Sequence, residues 1–273
     1  HPDYAILTNI ELDHVDYYRD IDDYCDAFAA FARQVKKGIV YFGDDPHLPS
    51  LTYPVPAISY GLGEHNDVRG VNVEQGEQGM RFEIMYKGEL FGHFELPFVG
   101  MPLLWNSIGV IALGIMLGAD AQLLQEGVAS FRGVKRRFII EDNGDNVYID
   151  DYAHHPTAVR YLIEAARIRF PGKRIIAIFK PDRYSRIAYF LDDFGRALDE
   201  ADEVFLCDFP ANAKKEAGVN VTIADLAERC RDAIVIGEDD DAAQLLAQHG
   251  PAVYVFMSSK DIYKLKNRLK NFQ

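Results

Sequence analysis

The alternation of short apolar runs with longer amphipathic runs after Gly133 constrains the fold of this chain more than any other feature. Apolar runs of strand length that alternate with helix-length segments are typical of a doubly wound, mainly parallel sheet with helices on both faces. We therefore predict an α/β domain in this half of the chain. Its predicted strands lie near 146–150, 174–179, 203–207, 233–236 and 252–256, and its predicted helices near 157–169, 186–199, 222–231, 240–248 and 260–270.

The first half of the chain follows a different pattern. Polar and apolar residues alternate from about 69 to 98 and glycine-rich turns divide the runs, which predicts an antiparallel β meander. The change of pattern near 132–136 predicts a boundary between two domains, residues 1–134 and 135–273. The other elements predicted in the first half are strands at 4–8, 40–42 and 57–60 and helices at 21–36, 103–117 and 121–131.

The net charge and the distribution of apolar residues exclude some classes of function. The chain has 29 Lys and Arg against 42 Asp and Glu, a net charge of −13, which opposes binding to nucleic acid or to an anionic membrane. No apolar run approaches the ~20 residues of a membrane-spanning helix. The three cysteines, Cys25, Cys207 and Cys230, lie far apart, as expected of reduced thiols. We expect a cytoplasmic protein that binds small molecules, with any phosphate held by a local cationic cluster.

Chemically reactive side chains follow three neighbouring strands of the second half. Residues 150–157 carry two aspartates and two histidines, residues 180–186 carry Arg183 and Arg186, and residues 207–215 end in two lysines. Ligands of open α/β sheets bind outside the carboxyl ends of the strands, where such loops meet. Paired arginines suit bidentate binding of a carboxylate or phosphate. The sequence therefore predicts one site for anions along this edge.

Each of these segments also has a simpler interpretation. The histidines could flank an ordinary polar helix cap, and the arginines could form surface salt bridges with Asp192 or Asp193. The basic run at 133–138 marks either a cleft at the domain junction or a solvated helix end. Residues 8–14, which follow a buried strand, either cap a helix or ligate a divalent metal. The residues alone leave these alternatives open.

Four segments resemble the motifs of one known family, the Mur ligases. They are residues 8–14, 133–138, 150–157 and 181–186, and they occur in this order over nearly the whole chain. The form Asp-Asp-Tyr-Ala-His-His-Pro-Thr resembles the L-alanine-adding branch. The resemblance implies that residues 1–134 are the C-terminal portion of a central ATP-binding domain with an antiparallel β meander, and that residues 135–273 are a Rossmann-like C-terminal domain.

The resemblance also implies an activity. It is the ATP-dependent joining of L-alanine to UDP-N-acetylmuramate through an acyl-phosphate, in peptidoglycan precursor biosynthesis, with ATP and Mg²⁺ required. The implied catalytic residues, His154, Arg183 and Arg186, also belong to the L-alanine site. The implied sites are His14 for magnesium, Asn106 for adenine, Arg137 and Asp151 for the phosphates and ribose, and Tyr152, His154, Arg183 and Arg186 for L-alanine.

The chain departs from the family pattern at three places. Residues 100–106 keep only the glycine and the last asparagine of the usual motif, Asp182 stands where histidine is usual, and residues 209–212 differ from the usual loop. These departures leave two alternatives. One is a related ligase that adds another amino acid or peptide, and the other is a non-catalytic relative that binds a nucleotide or a partner.

The sequence contains no Gly-x-x-x-x-Gly-Lys-Ser/Thr phosphate loop. It begins at His1 without methionine, so we expect a fragment whose phosphate loop and UDP-sugar domain lie upstream. Residues 1–273 alone should therefore hydrolyse no ATP, because the loop that cradles the phosphates is absent from them. A phosphate-release assay checks this expectation, and ligase or ATPase activity above the buffer rate would contradict it.

Overall fold

The computed structural model describes residues 1–213 and 218–272, and the two lysines predicted to follow the third strand, Lys214 and Lys215, lie outside the described residues. The chain divides into one compact unit from His1 to Arg132 and a second that begins at Gly133. Each unit has its own sheet, and each is described by itself.

A six-stranded sheet forms the centre of the first unit. The strands lie in the order of the sequence: the first four pair in parallel, and the fourth, fifth and sixth pair antiparallel. The predicted β meander is therefore confirmed. Its strands are β1 (Tyr4–Leu7), β2 (Gly38–Phe42), β3 (Ala57–Gly61), β4 (Val68–Gly76), β5 (Gly79–Tyr86) and β6 (Glu89–Leu96).

The helices of this unit are α1 (Ile21–Ala32), α2 (Met101–Met116) and α3 (Ala121–Ala129). The strongly apolar α2 packs against the parallel strands through fully buried residues such as Ile108 and Ile111. The prediction that the first helix continues to residue 36 is wrong. After Ala32 the N–H of Val35 bonds to the carbonyl of Ala32, three residues back, and the N–H of Lys36 bonds to Pro2. These bonds end the helix and lead the chain into β2.

The second unit contains the predicted doubly wound sheet, with strand order β11-β10-β9-β12-β8-β7. Strands β8 to β12 are parallel, which confirms the α/β fold class. The antiparallel edge strand β7 was not expected, because its residues Glu141, Asp142 and Asn143 are polar. The strands are β7 (Ile139–Asn143), β8 (Asn146–Asp151), β9 (Ile175–Phe179), β10 (Glu203–Cys207), β11 (Ala233–Ile236) and β12 (Val253–Met257).

Its helices are α4 (Pro156–Arg169), α5 (Tyr184–Tyr189), α6 (Leu191–Leu198), α7 (Ile223–Ala227), α8 (Asp240–Ala247) and α9 (Tyr263–Leu269). The single helix predicted over 186–199 is wrong. The backbone leaves helical geometry at Phe190 (ψ 27°), whose ring packs edge-on against His155, 4.8 Å between centroids. Helices α7, α8 and α9 are also shorter than predicted. Helix α7 is followed by a tight turn in which the N–H of Cys230 bonds to the carbonyl of Ala227.

Strand β12 lies between β8 and β9, and this position creates the crevice of the second unit. Helices α4, α6 and α7 pack in one group, whereas α9, which follows β12, packs with α8. Neighbouring strands thus lead into different helix groups, the arrangement that opens a ligand crevice in doubly wound sheets. Met257 pairs with both Asp151 and Phe179, so the three strands end at one level.

Two sequence expectations concern the chain as a whole. Cys25, Cys207 and Cys230 are all free thiols, as predicted. Within residues 1–213 and 218–272, no helix combines the length and apolarity that crossing a bilayer requires.

Candidate functional site

Asp151 ends β8 at the crevice, and its side chain is almost wholly buried. Its two carboxylate oxygens accept hydrogen bonds from the backbone N–H groups of Phe138 and Ala153, each at 2.7 Å. Burial raises the pKa of the Asp151 carboxyl, although these two bonds and the nearby Arg137 act in the opposite direction. The carboxylate therefore joins the start of the second unit to the loop that carries the predicted histidines.

The raised pKa predicts how stability depends on pH. A carboxyl with a raised folded-state pKa binds its proton more tightly in the folded state than in the unfolded chain. Its contribution to stability is present below the unfolded pKa of about 3.9 and is lost as the pH rises through the folded pKa. The unfolding free energy of the wild type minus that of Asp151→Asn should therefore fall as the pH rises above about 3.9. Denaturant titrations of both proteins measure this difference, and a difference that grows with pH would contradict the assignment.

Tyr152, the next residue, lies beside two guanidinium groups. The side chains of Arg136 and Arg137 both contact its ring, each 5.2 Å from the centroid, and the Tyr152 N–H bonds to the Arg136 carbonyl at 2.9 Å. Arg136 and Phe138 have positive φ values of 59° and 50°, which turn the chain so that adjacent arginines reach the same ring. Arg137 remains exposed, so its charge is accessible to an anion at the crevice.

The two predicted histidines have different environments. His154 is half-buried, and its Nδ1 lies 2.7 Å from the Tyr152 carbonyl oxygen. Because a carbonyl only accepts, Nδ1 carries the proton of the neutral ring and Nε2 becomes the acceptor. His155 occupies the position before α4 and makes no capping hydrogen bond. The simpler interpretation of this loop as a polar helix cap is therefore wrong.

The arginine segment lies at the end of β9. Arg183 is half-buried and precedes α5, whereas Arg186 is 3% exposed and donates to Asp182 at 2.6 Å. The alternative of a surface salt bridge is wrong for Arg186, because its side chain is buried against Asp182, while Asp192 and Asp193 pair with Arg229 and Arg196. Asp182, the unexpected acid of this segment, thus neutralises a buried arginine.

Four residues of this crevice were not predicted as site residues: Arg136, Ser258, Ser259 and Lys260. Arg136 donates to the carbonyl oxygens of Ser258 at 2.7 Å and Lys260 at 3.0 Å. Ser259 donates its hydroxyl to Asp182 at 2.6 Å. The sequence did indicate that residues 257–260 follow the last strand, but it gave no reason to connect them to a basic run more than 120 residues earlier.

The remaining predicted residues belong to the first unit. His14 is exposed and has a positive φ of 52°, and Asn106 is exposed on α2. Residues 8–14 do not cap α1, because Asp20 does so through a 2.9 Å bond to the N–H of Asp23. The segment is held instead by Asp45, a buried residue that lies three positions after the end of β2 and that no local pattern indicated. The Asp45 carboxylate accepts the N–H of Ile10 at 2.8 Å.

The residues present fit magnesium only in part. In the described ranges, 1–213 and 218–272, no group of three or more His, Cys, Asp and Glu side chains has the geometry of a metal site. Mg²⁺ prefers oxygen ligands and usually keeps several waters while it contacts substrate phosphates. His14 offers a nitrogen, so it would supply at most one ligand, and phosphate oxygens and water would supply the others.

Both units match models of one protein family. The model of the Mur ligase middle domain matches residues 1–114, and that of the "Mur ligase, glutamate ligase domain" matches residues 136–269. Together the two matched ranges include most of the chain.

Solved Mur ligase structures share the fold. UDP-N-acetylmuramate-alanine ligase MurC from Thermotoga maritima is 25% identical, with a TM-score of 0.76 over 100% of this chain and 60% of that chain. MurF from Acinetobacter baumannii is 19% identical (TM-score 0.79, 99% and 60%), and the ADP complex of MurF ligase from T. maritima is 21% identical (TM-score 0.77, 99% and 62%). This chain thus spans about 60% of the length of these proteins. With a Mur ligase middle-domain match followed by a Mur ligase C-terminal-domain match, the chain belongs to the Mur ligase family.

Proposed function

We propose that the protein containing this chain is a cytoplasmic, ATP-dependent ligase that joins L-alanine to UDP-N-acetylmuramate in peptidoglycan precursor biosynthesis. Residues 1–134 would be the C-terminal portion of its ATP-binding domain, and residues 135–273 its C-terminal domain. The observation that carries the proposal is the meeting of two motif segments, 150–157 and 181–186, at the carboxyl ends of β8 and β9, which flank β12.

The chemistry of these segments suits a free amino acid. Arg183 would bind the carboxylate of L-alanine, since a guanidinium matches a carboxylate with two parallel hydrogen bonds. Tyr152 would line the same site. His154, whose Nε2 is an acceptor in the tautomer fixed by the Tyr152 carbonyl, would receive a proton from the ammonium group and leave the amine nucleophilic. The Asp182 pairing supports a less direct role for Arg186, which would hold the arginine segment in place.

The nucleotide would be held by other residues. Arg137 and Asp151 would contact the phosphates and ribose of ATP, and Asn106 the adenine. A magnesium ion held in part by His14 would offset the negative charge between carboxylate and γ-phosphate. The muramoyl carboxylate attacks the γ-phosphorus and ADP leaves. The alanine amine then attacks the acyl carbon, and inorganic phosphate leaves as the amide forms. Holding the amine near the acyl-phosphate contributes by proximity.

An amino-acid panel tests the proposal. The complete enzyme, ATP, Mg²⁺ and UDP-N-acetylmuramate are incubated with single amino acids, and released phosphate is measured. We expect L-alanine to give the highest kcat/KM. Turnover with another amino acid but not with L-alanine would contradict the assignment, and no turnover with any would favour a non-catalytic relative.

One observation favours a second candidate, a ligase of the same family that adds another amino acid or a peptide. Asp182 places a carboxylate against Arg186 and so reduces the positive charge available to a substrate carboxylate. A substrate whose carboxylate lies farther from its reacting amine, such as a dipeptide, would depend less on that charge. Including D-alanyl-D-alanine and muramoyl peptide acceptors in the same assay separates the two candidates.

A further inference from the structure

The segment that follows β12, residues 258–260, is bound from several sides. The Arg136 guanidinium donates to the carbonyl oxygens of Ser258 and Lys260, and the Ser258 N–H donates to the Asp151 carbonyl at 3.2 Å. The buried Ser258 hydroxyl donates to the Lys180 carbonyl at 2.9 Å. The segment is thereby fixed to the ends of both neighbouring strands, β8 and β9.

Ser259 extends this fixed segment towards the arginines. Its hydroxyl donates to one oxygen of Asp182 at 2.6 Å, and Arg186 donates to the other oxygen at 2.6 Å. The Asp182 side chain is only 12% exposed, so water competes weakly for these bonds. A carboxylate bound through both oxygens by two different segments has little rotational freedom.

We propose that Ser259 is a positioning residue for the amino-acid site. Its hydroxyl donates to Asp182, and Asp182 in turn accepts a hydrogen bond from Arg186. Arg183 lies between Asp182 and Arg186 in the chain, so these two bonds fix the segment that carries it. Arg136 fixes the backbone on both sides of Ser259, because it donates to the carbonyl oxygens of Ser258 and Lys260. The inference rests on the proposed function, because it assumes that Arg183 contacts the amino-acid substrate.

The test compares Ser259→Ala with Ser259→Thr in the complete enzyme. Ser259→Ala should raise the KM for the amino acid about tenfold, the size expected from losing one hydrogen bond to a charged group. The kcat and the KM for ATP should change less than about twofold, and the melting temperature should stay near that of the wild type, since Ser259 is only half-buried. Ser259→Thr retains the hydroxyl and should restore the KM.

Two further variants make the test specific. Ser50→Ala is the matched control, because its hydroxyl also bonds to one acceptor, the His47 carbonyl, at an exposed position in the first unit. It should leave all constants unchanged. Ser259→Ala in an Asp182→Asn background should add little to the KM effect of Asp182→Asn, because both changes interrupt the same chain of contacts.

The outcomes separate this inference from the proposed function. If wild type turns over a different amino acid, the L-alanine assignment fails and the same variants are measured with that amino acid. If wild type turns over none, the proposed function and this inference both fail. If wild type is active but Ser259→Ala leaves the KM unchanged, raises both KM values equally, or is not rescued by threonine, the positioning role is contradicted.

Discussion

Replacing Arg186 with alanine should lower the free energy of unfolding of the second unit by about 3–5 kcal/mol, the usual cost of removing one partner of a buried ion pair. Arg186 is 3% exposed and its partner Asp182 12%. The substitution leaves the Asp182 carboxylate away from water without its cation. Chemical denaturation followed by fluorescence or circular dichroism measures the loss, and the KM for the amino acid should rise in parallel while the KM for ATP does not.

A double-mutant cycle tests the reason for this loss. Asp182→Ala combined with Arg186→Ala should cost less than the sum of the single changes, because no uncompensated charge remains. The control is Arg196→Ala, which removes an arginine from a pair with Asp193 whose side chains are 71% and 50% exposed. An exposed pair contributes about 1 kcal/mol or less. If Arg186→Ala cost no more than this control, the buried-pair account would be wrong.

Replacing Asp45 with alanine should destabilise the first unit by about 3 kcal/mol or more, since an unsatisfied buried donor costs roughly 1–3 kcal/mol. The Asp45 carboxylate accepts the N–H groups of Ile10, His47 and Leu48, each at 2.8 Å. Among residues 1–213 and 218–272, no other side chain accepts a hydrogen bond from these three groups. Denaturant titration of the variant measures the effect.

The same substitution tests whether Asp45 supports His14, the proposed metal ligand. The bond to Ile10 holds the segment that ends at His14, so in the complete enzyme Asp45→Ala should also raise the Mg²⁺ concentration that gives half-maximal activity. Asp3→Ala is the control, because it removes a carboxylate whose pair with Lys37 is exposed, and it should change stability by about 1 kcal/mol or less. Equal losses from the two variants would contradict the role given to Asp45.

In the second unit, strands could be predicted from the sequence where their residues form an unbroken apolar run, and were missed where polar residues interrupt it. Strands β9 and β12 are buried at every position, so their sequences are continuous apolar runs. The edge strand β7 has polar residues on a partly exposed ladder, and no local pattern distinguishes it from a loop. Helix ends were missed where the deciding bonds lie outside the helix, as between Lys36 and Pro2.

The positions of the candidate site residues were predictable where topology alone brings segments together. Parallel strands that alternate with helices place their following loops on one edge, and this was enough to group Asp151, His154 and Arg183. Contacts between distant segments were not predictable. Ser259 and Asp182 lie 77 positions apart, and Arg136 lies 122 positions before Ser258, and neither pair has a local pattern that indicates the contact.

The transfer of oxygen tests the proposed ligase chemistry most directly. UDP-N-acetylmuramate labelled with ¹⁸O in its carboxylate is incubated with the complete enzyme, ATP, Mg²⁺ and L-alanine, and the products are analysed by mass spectrometry. If L-alanine attacks the acyl carbon of an acyl-phosphate, each released phosphate should carry one ¹⁸O. The L-alanyl amide should form in an equal amount. Released phosphate without ¹⁸O, or labelled phosphate formed without the alanyl amide, would contradict the proposed reaction.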